Sequence, residues 1–101
     1  MHATVTTSGG SAILRLEGRF DFNAHREFRD CVDKAVADAS AREIQVDLGG
    51  VDYLDSSALG MLLMTRDKVN NAGKTMSLAN VRGTVKQIID IANFGKLFTI
   101  T

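Results

Sequence analysis

Proline and tryptophan are missing from these 101 residues, and cysteine occurs once, at Cys31. Without proline no turn is set by a ring, so the nine glycines must do most of the turning. A lone cysteine cannot close a disulfide within the chain. The opening Met1-His2-Ala3-Thr4-Val5 lacks a basic-then-apolar leader pattern. Together these features make a cytoplasmic location the expectation. No apolar run is long enough to cross a bilayer. Net charge is absent too: twelve basic residues balance twelve acidic ones, with no basic cluster. No field therefore attracts nucleic acid or anionic lipid, and the expected partners are protein surfaces. No Cys/His/Asp spacing suggests a metal, and nothing implies a cofactor.

What is present is an ordinary soluble mixture, 45% apolar and 24% charged. Its length suits one domain, residues 1–101. Residues from about 3 to 8 make a weak strand, Ser8-Gly9-Gly10-Ser11 a turn, and Ala12 to Leu16 a returning strand. Gly18-Arg19-Phe20-Asp21-Phe22-Asn23 breaks that strand and starts a helix, with Asn23 or Asp21 as N-cap. Phe28, Cys31, Val32, Ala35, Val36 and Ala39 repeat at helical spacing, predicting a helix over about 23–39. Ile44, Val46 and Leu48 alternate with polar residues as a strand, and Gly49 to Leu54 connects onward. A second helix is expected over about 57–71, with Leu59, Leu62, Leu63 and Val69 inward and Met61 and Met64 largely elsewhere. Arg66 falls on its apolar side, where a snorkelling side chain is the available account. Gly73 suits the position after that helix. Thr75 to Ala79 is a short strand. A third helix, capped by Asn80 or Thr84, runs to about Ile91 with Val85, Ile88, Ile89 and Ile91 apolar. Leu97 to Ile100 closes the chain as a strand. The alternation implies an α/β fold, a single mixed and mostly parallel sheet with an N-terminal hairpin and three to four helices.

The chain is organised around Tyr53-Leu54-Asp55-Ser56-Ser57-Ala58-Leu59-Gly60, the end of a buried strand followed by a helix start. Asp and Ser there suit capping, typically worth about 1 kcal/mol each. The same place also suits function. Ligands on open α/β sheets gather beyond the carboxyl ends of strands, and a helix N-terminus tolerates phosphate through its free N–H groups and dipole. Met61 and Met64 suit either core filling or a pliable docking face.

These segments resemble a stand-alone STAS domain of the anti-sigma factor antagonist family over nearly the whole chain. The resemblance rests on Gly18-Arg19-Phe20-Asp21, on Asp55-Ser56-Ser57-Ala58-Leu59-Gly60 and on Asn93-Phe94-Gly95-Lys96-Leu97-Phe98. It implies a STAS-type fold, no catalytic residue and a phosphoacceptor at Ser56, with Asp21, Asp55 and Ser57 supporting it. Phe22, Ala58, Met61 and Met64 are the expected partner contacts, the Met61/Met64 surface being a departure from the family pattern. The implied partners are an anti-sigma factor or a serine kinase of the histidine-kinase-like ATPase type, and a 2C-type serine phosphatase. A branch tied to biofilm and secretion control is also similar, and its target need not regulate a sigma factor. Ala58 departs from the glycine of many relatives and should stiffen the helix start.

Other readings remain. A STAS-like scaffold that is never phosphorylated fits the same sequence, and a receiver-like domain could use Asp55 as acceptor. The receiver reading is opposed by the short chain and by the lack of an early acidic pair. Gly73-Lys74-Thr75 imitates the tail of a phosphate-binding loop, but Lys68 stands where the upstream glycine is required and a strand follows. Asp21, His25 and Ser56 could suggest a nucleophilic triad, but no Gly-x-Ser-x-Gly elbow is present. His25 is expected to be solvated and Cys31, Phe94 and Phe98 to serve packing.

Overall fold

Alternating apolar residues on the strands and helical stripes between them build two layers in the computed structural model, which describes residues 1–101. The elements are β1 (His2–Ser8), β2 (Ser11–Phe20), a short 3-10 turn (Phe22–Ala24), α1 (His25–Ala37), β3 (Glu43–Leu54), α2 (Ser56–Asn71), β4 (Thr75–Ala79), α3 (Gly83–Ile91), a second 3-10 turn (Phe94–Lys96) and β5 (Thr99–Ile100). The sheet order is β1-β2-β3-β4-β5. β1 and β2 are antiparallel, closed at Ser8↔Ser11, and the other pairs are parallel. Gly9 and Gly10 hold φ of +57° and +86°, the two positive values that a two-residue hairpin turn requires.

Each parallel step moves one strand along, so right-handed crossovers lay the three helices on one face of the sheet. Burial follows. Ala12, Leu14 and Leu16 of β2 and Ile44, Val46 and Leu48 of β3 are buried against the helices. The opposite face carries Arg15 against Asp47, 3.9 Å apart, and the Ser77 hydroxyl donating to Glu43 at 3.3 Å. From above, α2 contributes Ala58, Met61, Leu62, Thr65 and Val69. Leu62 has no exposed surface, and burying such a side chain stabilises by roughly 1.5–3 kcal/mol.

Several elements differ from the sequence expectation. β2 continues to Phe20, and Gly18 bends it at φ +95° where a break was expected. β3 runs unbroken to Leu54, so Gly49 to Asp52 is strand and not connection, and Tyr53-Leu54 ends the strand as expected. The register explains this: Arg15↔Asp47 is followed by Glu17↔Gly50, and Gly18↔Val51 by Arg19↔Tyr53. Each step inserts one extra residue in β3, so its buried side chains pass from Leu48 to Val51 to Leu54 at spacing three.

α1 begins at His25 and ends at Ala37, leaving Ala39 exposed beyond the stripe. Leu63 is 36% exposed where it was placed inward, and Thr65 is buried with its hydroxyl donating to the Met61 carbonyl. Arg66 reaches the Leu97 carbonyl with Nε at 2.9 Å, which accounts for its position. Arg82 stands at the N-cap of α3 without a side-chain capping bond, so neither Asn80 nor Thr84 caps it. Ile91 is 82% exposed, outside the apolar face assigned to it. The last strand shortens to Thr99–Ile100 because Phe94–Lys96 turns as a 3-10 segment.

Candidate functional site

Parallel pairing of β2 and β3 brings two acidic turns together. The strands finish side by side at Phe20↔Leu54, and the Asp55 N–H donates to the Phe20 carbonyl at 3.3 Å. The next residue of each chain segment is an aspartate in extended conformation. Asp21 Oδ1 accepts the Asn23 N–H at 3.0 Å, and Asp55 Oδ1 accepts the Ala58 N–H at 2.9 Å. Both therefore do what an N-cap does, satisfying donors that lack partners in a first helical turn. Asp21 is the cap, and Asn23, the alternative named from sequence, lies inside the 3-10 turn.

Ser56 is the first residue of α2 and is exposed; Ser57 is half-buried. With Asp55 as cap, the Ser56 hydroxyl is free of that duty. It stands at the positive end of a 16-residue helix, where added negative charge is favoured. Asp21 is also held by Arg19, whose Nε lies 3.5 Å away. The Arg19 guanidinium in turn lies 4.1 Å from the centre of the Tyr53 ring, its register partner across the strands. Sequence reading missed Arg19 and Tyr53 as a pair; their equal distances from Phe20 and Leu54 were the available signal. Asp21 is thus tied to Asn23 and Arg19, an arrangement unlike the orienting of a His25 base toward Ser56.

The expected contact residues divide. Phe22 is 72% exposed and Met64 69% exposed, both free to meet another surface. Ala58 and Met61, placed on that surface by the sequence reading, are buried at 0% and 7%. Each faces the sheet or α1 because it shares the inward stripe of α2 with Leu62 and Thr65. Leu63 and Tyr53 are partly exposed and were not anticipated. Between α1 and α2 a cavity of about 250 Å³ opens, with Phe28, Val32, Met61 and Met64 as its apolar lining. Cys31 is buried in the α1 stripe, and burial pushes its thiol pKa up, partly offset by Lys34. No helix is long and apolar enough to cross a membrane.

Comparison with known proteins gives a consistent result. The family model described as Mlab, STAS domain matches residues 3–99. A STAS-domain containing protein of Pseudomonas aeruginosa (strain UCBPP-PA14) is 41% identical over 99 residues, covering 98% of this chain and 96% of that one. An anti-sigma F factor antagonist of Paenibacillus polymyxa is 28% identical over 91 residues, covering 90% and 78%. Among solved structures, the Bacillus cell fate determinant SpoIIAA in its phosphorylated form superposes with a TM-score of 0.73 at 17% identity, covering 99% of this chain and 91% of that one.

Proposed function

The chain belongs to the STAS domain family, and from that membership we propose that it is a single-domain, cytoplasmic, phosphorylation-controlled partner-switching regulator and not an enzyme. Unphosphorylated, it binds an anti-sigma factor or a related signalling target; phosphorylated on Ser56, it releases that partner. The observation that carries the reading is the exposed Ser56 at the N-terminus of α2, relieved of capping by Asp55 and next to the Asp21 turn. Phe22, in the turn after β2, and Met64, two turns along α2, supply exposed apolar contact area. That a STAS-fold neighbour exists in a phosphorylated form supports the same chemistry.

In the proposed step a serine kinase of the histidine-kinase-like ATPase type transfers the γ-phosphoryl group of ATP. The Ser56 Oγ–P bond forms, the bond to the β-phosphate oxygen breaks, ADP leaves, and the hydroxyl proton passes to a base of the kinase. A 2C-type phosphatase reverses the state by hydrolysis. The phosphate brings a charge of about −1.5 to −2. The dipole of α2 favours it, so the fold survives. Asp55 adds its charge to that edge, while Asp21 is paired with Arg19. A partner carboxylate 4 Å from the phosphate would be repelled by roughly 4 kcal/mol at an effective dielectric of 20, and half of that weakens binding more than tenfold.

The test is a binding comparison of Ser56→Ala and Ser56→Asp with a purified anti-sigma factor or kinase from the same cells. Ser56→Ala is expected to hold the partner and Ser56→Asp to lose it. Equal capture by both refutes the switch. Intact mass from cells in which the regulated output changes provides the second check: lasting absence of a phosphoryl adduct favours a scaffold without modification.

A further inference from the structure

We infer that the cavity between α1 and α2 is a seat for one amphipathic, acidic helix of the partner protein. The inference rests on the partner-binding reading above and names where and how that partner sits. α1 and α2 both follow strands of a parallel sheet, so both start at its carboxyl edge and run in the same direction. They form two ridges with a valley between them. Phe28 and Val32 line it from α1, Met61 and Met64 from α2. A third helix lying in such a valley buries apolar side chains at spacings of three and four, and the exposed Met64 on one wall lets it settle over the buried Phe28, Val32 and Met61. Met64 is the exposed member, at 69%.

The charge on the rim chooses among occupants. His25, Arg29 and Lys68 stand there. Lys68 is paired with Asp33, whereas Arg29 takes part in none of the chain's ion pairs. A free guanidinium beside an apolar cleft fits a carboxylate, which it binds through two parallel hydrogen bonds. A second copy docked about a two-fold axis would bring Arg29 against the same cationic rim, so self-association through this face is disfavoured. The valley begins at the edge that carries Ser56, and Ser57, Met61, Met64 and Lys68 follow one another on one face of α2. An acidic segment there would feel a phosphate on Ser56 as repulsion.

The experiment uses the full chain and a displayed library of random 16-residue peptides. Selection on the unphosphorylated protein is expected to enrich peptides with two apolar residues at helical spacing next to Asp or Glu. The best peptide should lose at least tenfold in affinity to Met64→Glu and to Arg29→Glu. It should regain affinity for Arg29→Glu when its own acid is changed to Lys. Both substituted positions lie on the exposed rim, and far-UV circular dichroism verifies that each variant is folded. Failure to enrich, enrichment of basic or neutral peptides, or binding indifferent to Met64→Glu overturns the assignment. So does a dimer, seen by sedimentation, that Met64→Glu abolishes. Ser56→Asp is measured alongside. A peptide lost with Met64→Glu but indifferent to Ser56→Asp supports the seat while counting against the switch. A native partner lost with Ser56→Asp but indifferent to Met64→Glu supports the switch and overturns the seat.

Discussion

Asp55 separates a structural role from a signalling one, and its replacement has a calculable cost. Its backbone N–H donates to the Phe20 carbonyl, and its carbonyl accepts the Leu59 N–H at 3.2 Å; neither bond involves the side chain. Only the 2.9 Å bond from the Ala58 N–H to Oδ1 disappears in Asp55→Ala. Ala58 has no exposed surface, so water cannot take over its donor. The loss should therefore fall in the upper part of the capping range, about 1–2 kcal/mol. Asp55→Asn keeps an acceptor in place and removes only the charge at the helix N-terminus, worth about 0.3–1 kcal/mol and weakened by partial exposure. At about 4–8 °C per kcal/mol for a chain of this size, Asp55→Ala should lower Tm by roughly 5–15 °C and Asp55→Asn by less than about 5 °C. Thermal and urea melts followed by circular dichroism read both values. If Asp55→Ala melts with the wild type, or Asp55→Asn falls as far as Asp55→Ala, the capping account is wrong.

Four further outcomes follow from the geometry. A Cβ at Gly50 would lie 2.9 Å from the Leu16 carbonyl oxygen, so Gly50→Ala must push β3 off β2 and should cost about 1–3 kcal/mol in a urea melt. At Gly60 nothing lies within 4 Å, so Gly60→Ala should gain about 0.5–1 kcal/mol from helix propensity. The Ser40 hydroxyl and N–H, with the Thr7 hydroxyl, donate to Asp38 and hold its carboxyl below the usual range. Its folded value lies under its unfolded one, so this stabilisation is complete above the ordinary carboxylate range and disappears as pH falls through the folded value. Asp38→Asn should flatten that acid limb in melts taken from about pH 7 to pH 3. Burial raises the Cys31 thiol pKa, so alkylation at neutral pH should be at least about tenfold slower in the native chain than in urea; equal rates would contradict the burial.

Local patterns were readable where one period governs. Leu14 and Leu16, or Ile44, Val46 and Leu48, alternate because their strands are regular, and the Gly9-Gly10 hairpin needs only its own two residues. Asp55-Ser56-Ser57 marked a helix start because N-cap chemistry is local to about four residues. The pattern failed where pairing intervened. Gly49 to Asp52 looked like a connection because the bulges against β2 convert spacing two into spacing three, and no residue of β3 announces its partner's register. On α2 the residues split apolar character over two sides, so propensity could not decide between Leu63 and Thr65, or between Met61 and Met64. The residue types by themselves determined the α/β class, the Gly9-Gly10 turn and the serine at the mouth of α2. Only the assembled sheet decided that Asp21 lies beside Asp55, that Ala58 and Met61 face inward, and that Phe22 and Met64 stay in water. Those outcomes depend on which strand ends are paired and which helix face meets the sheet, distances through space that no short stretch of chain encodes.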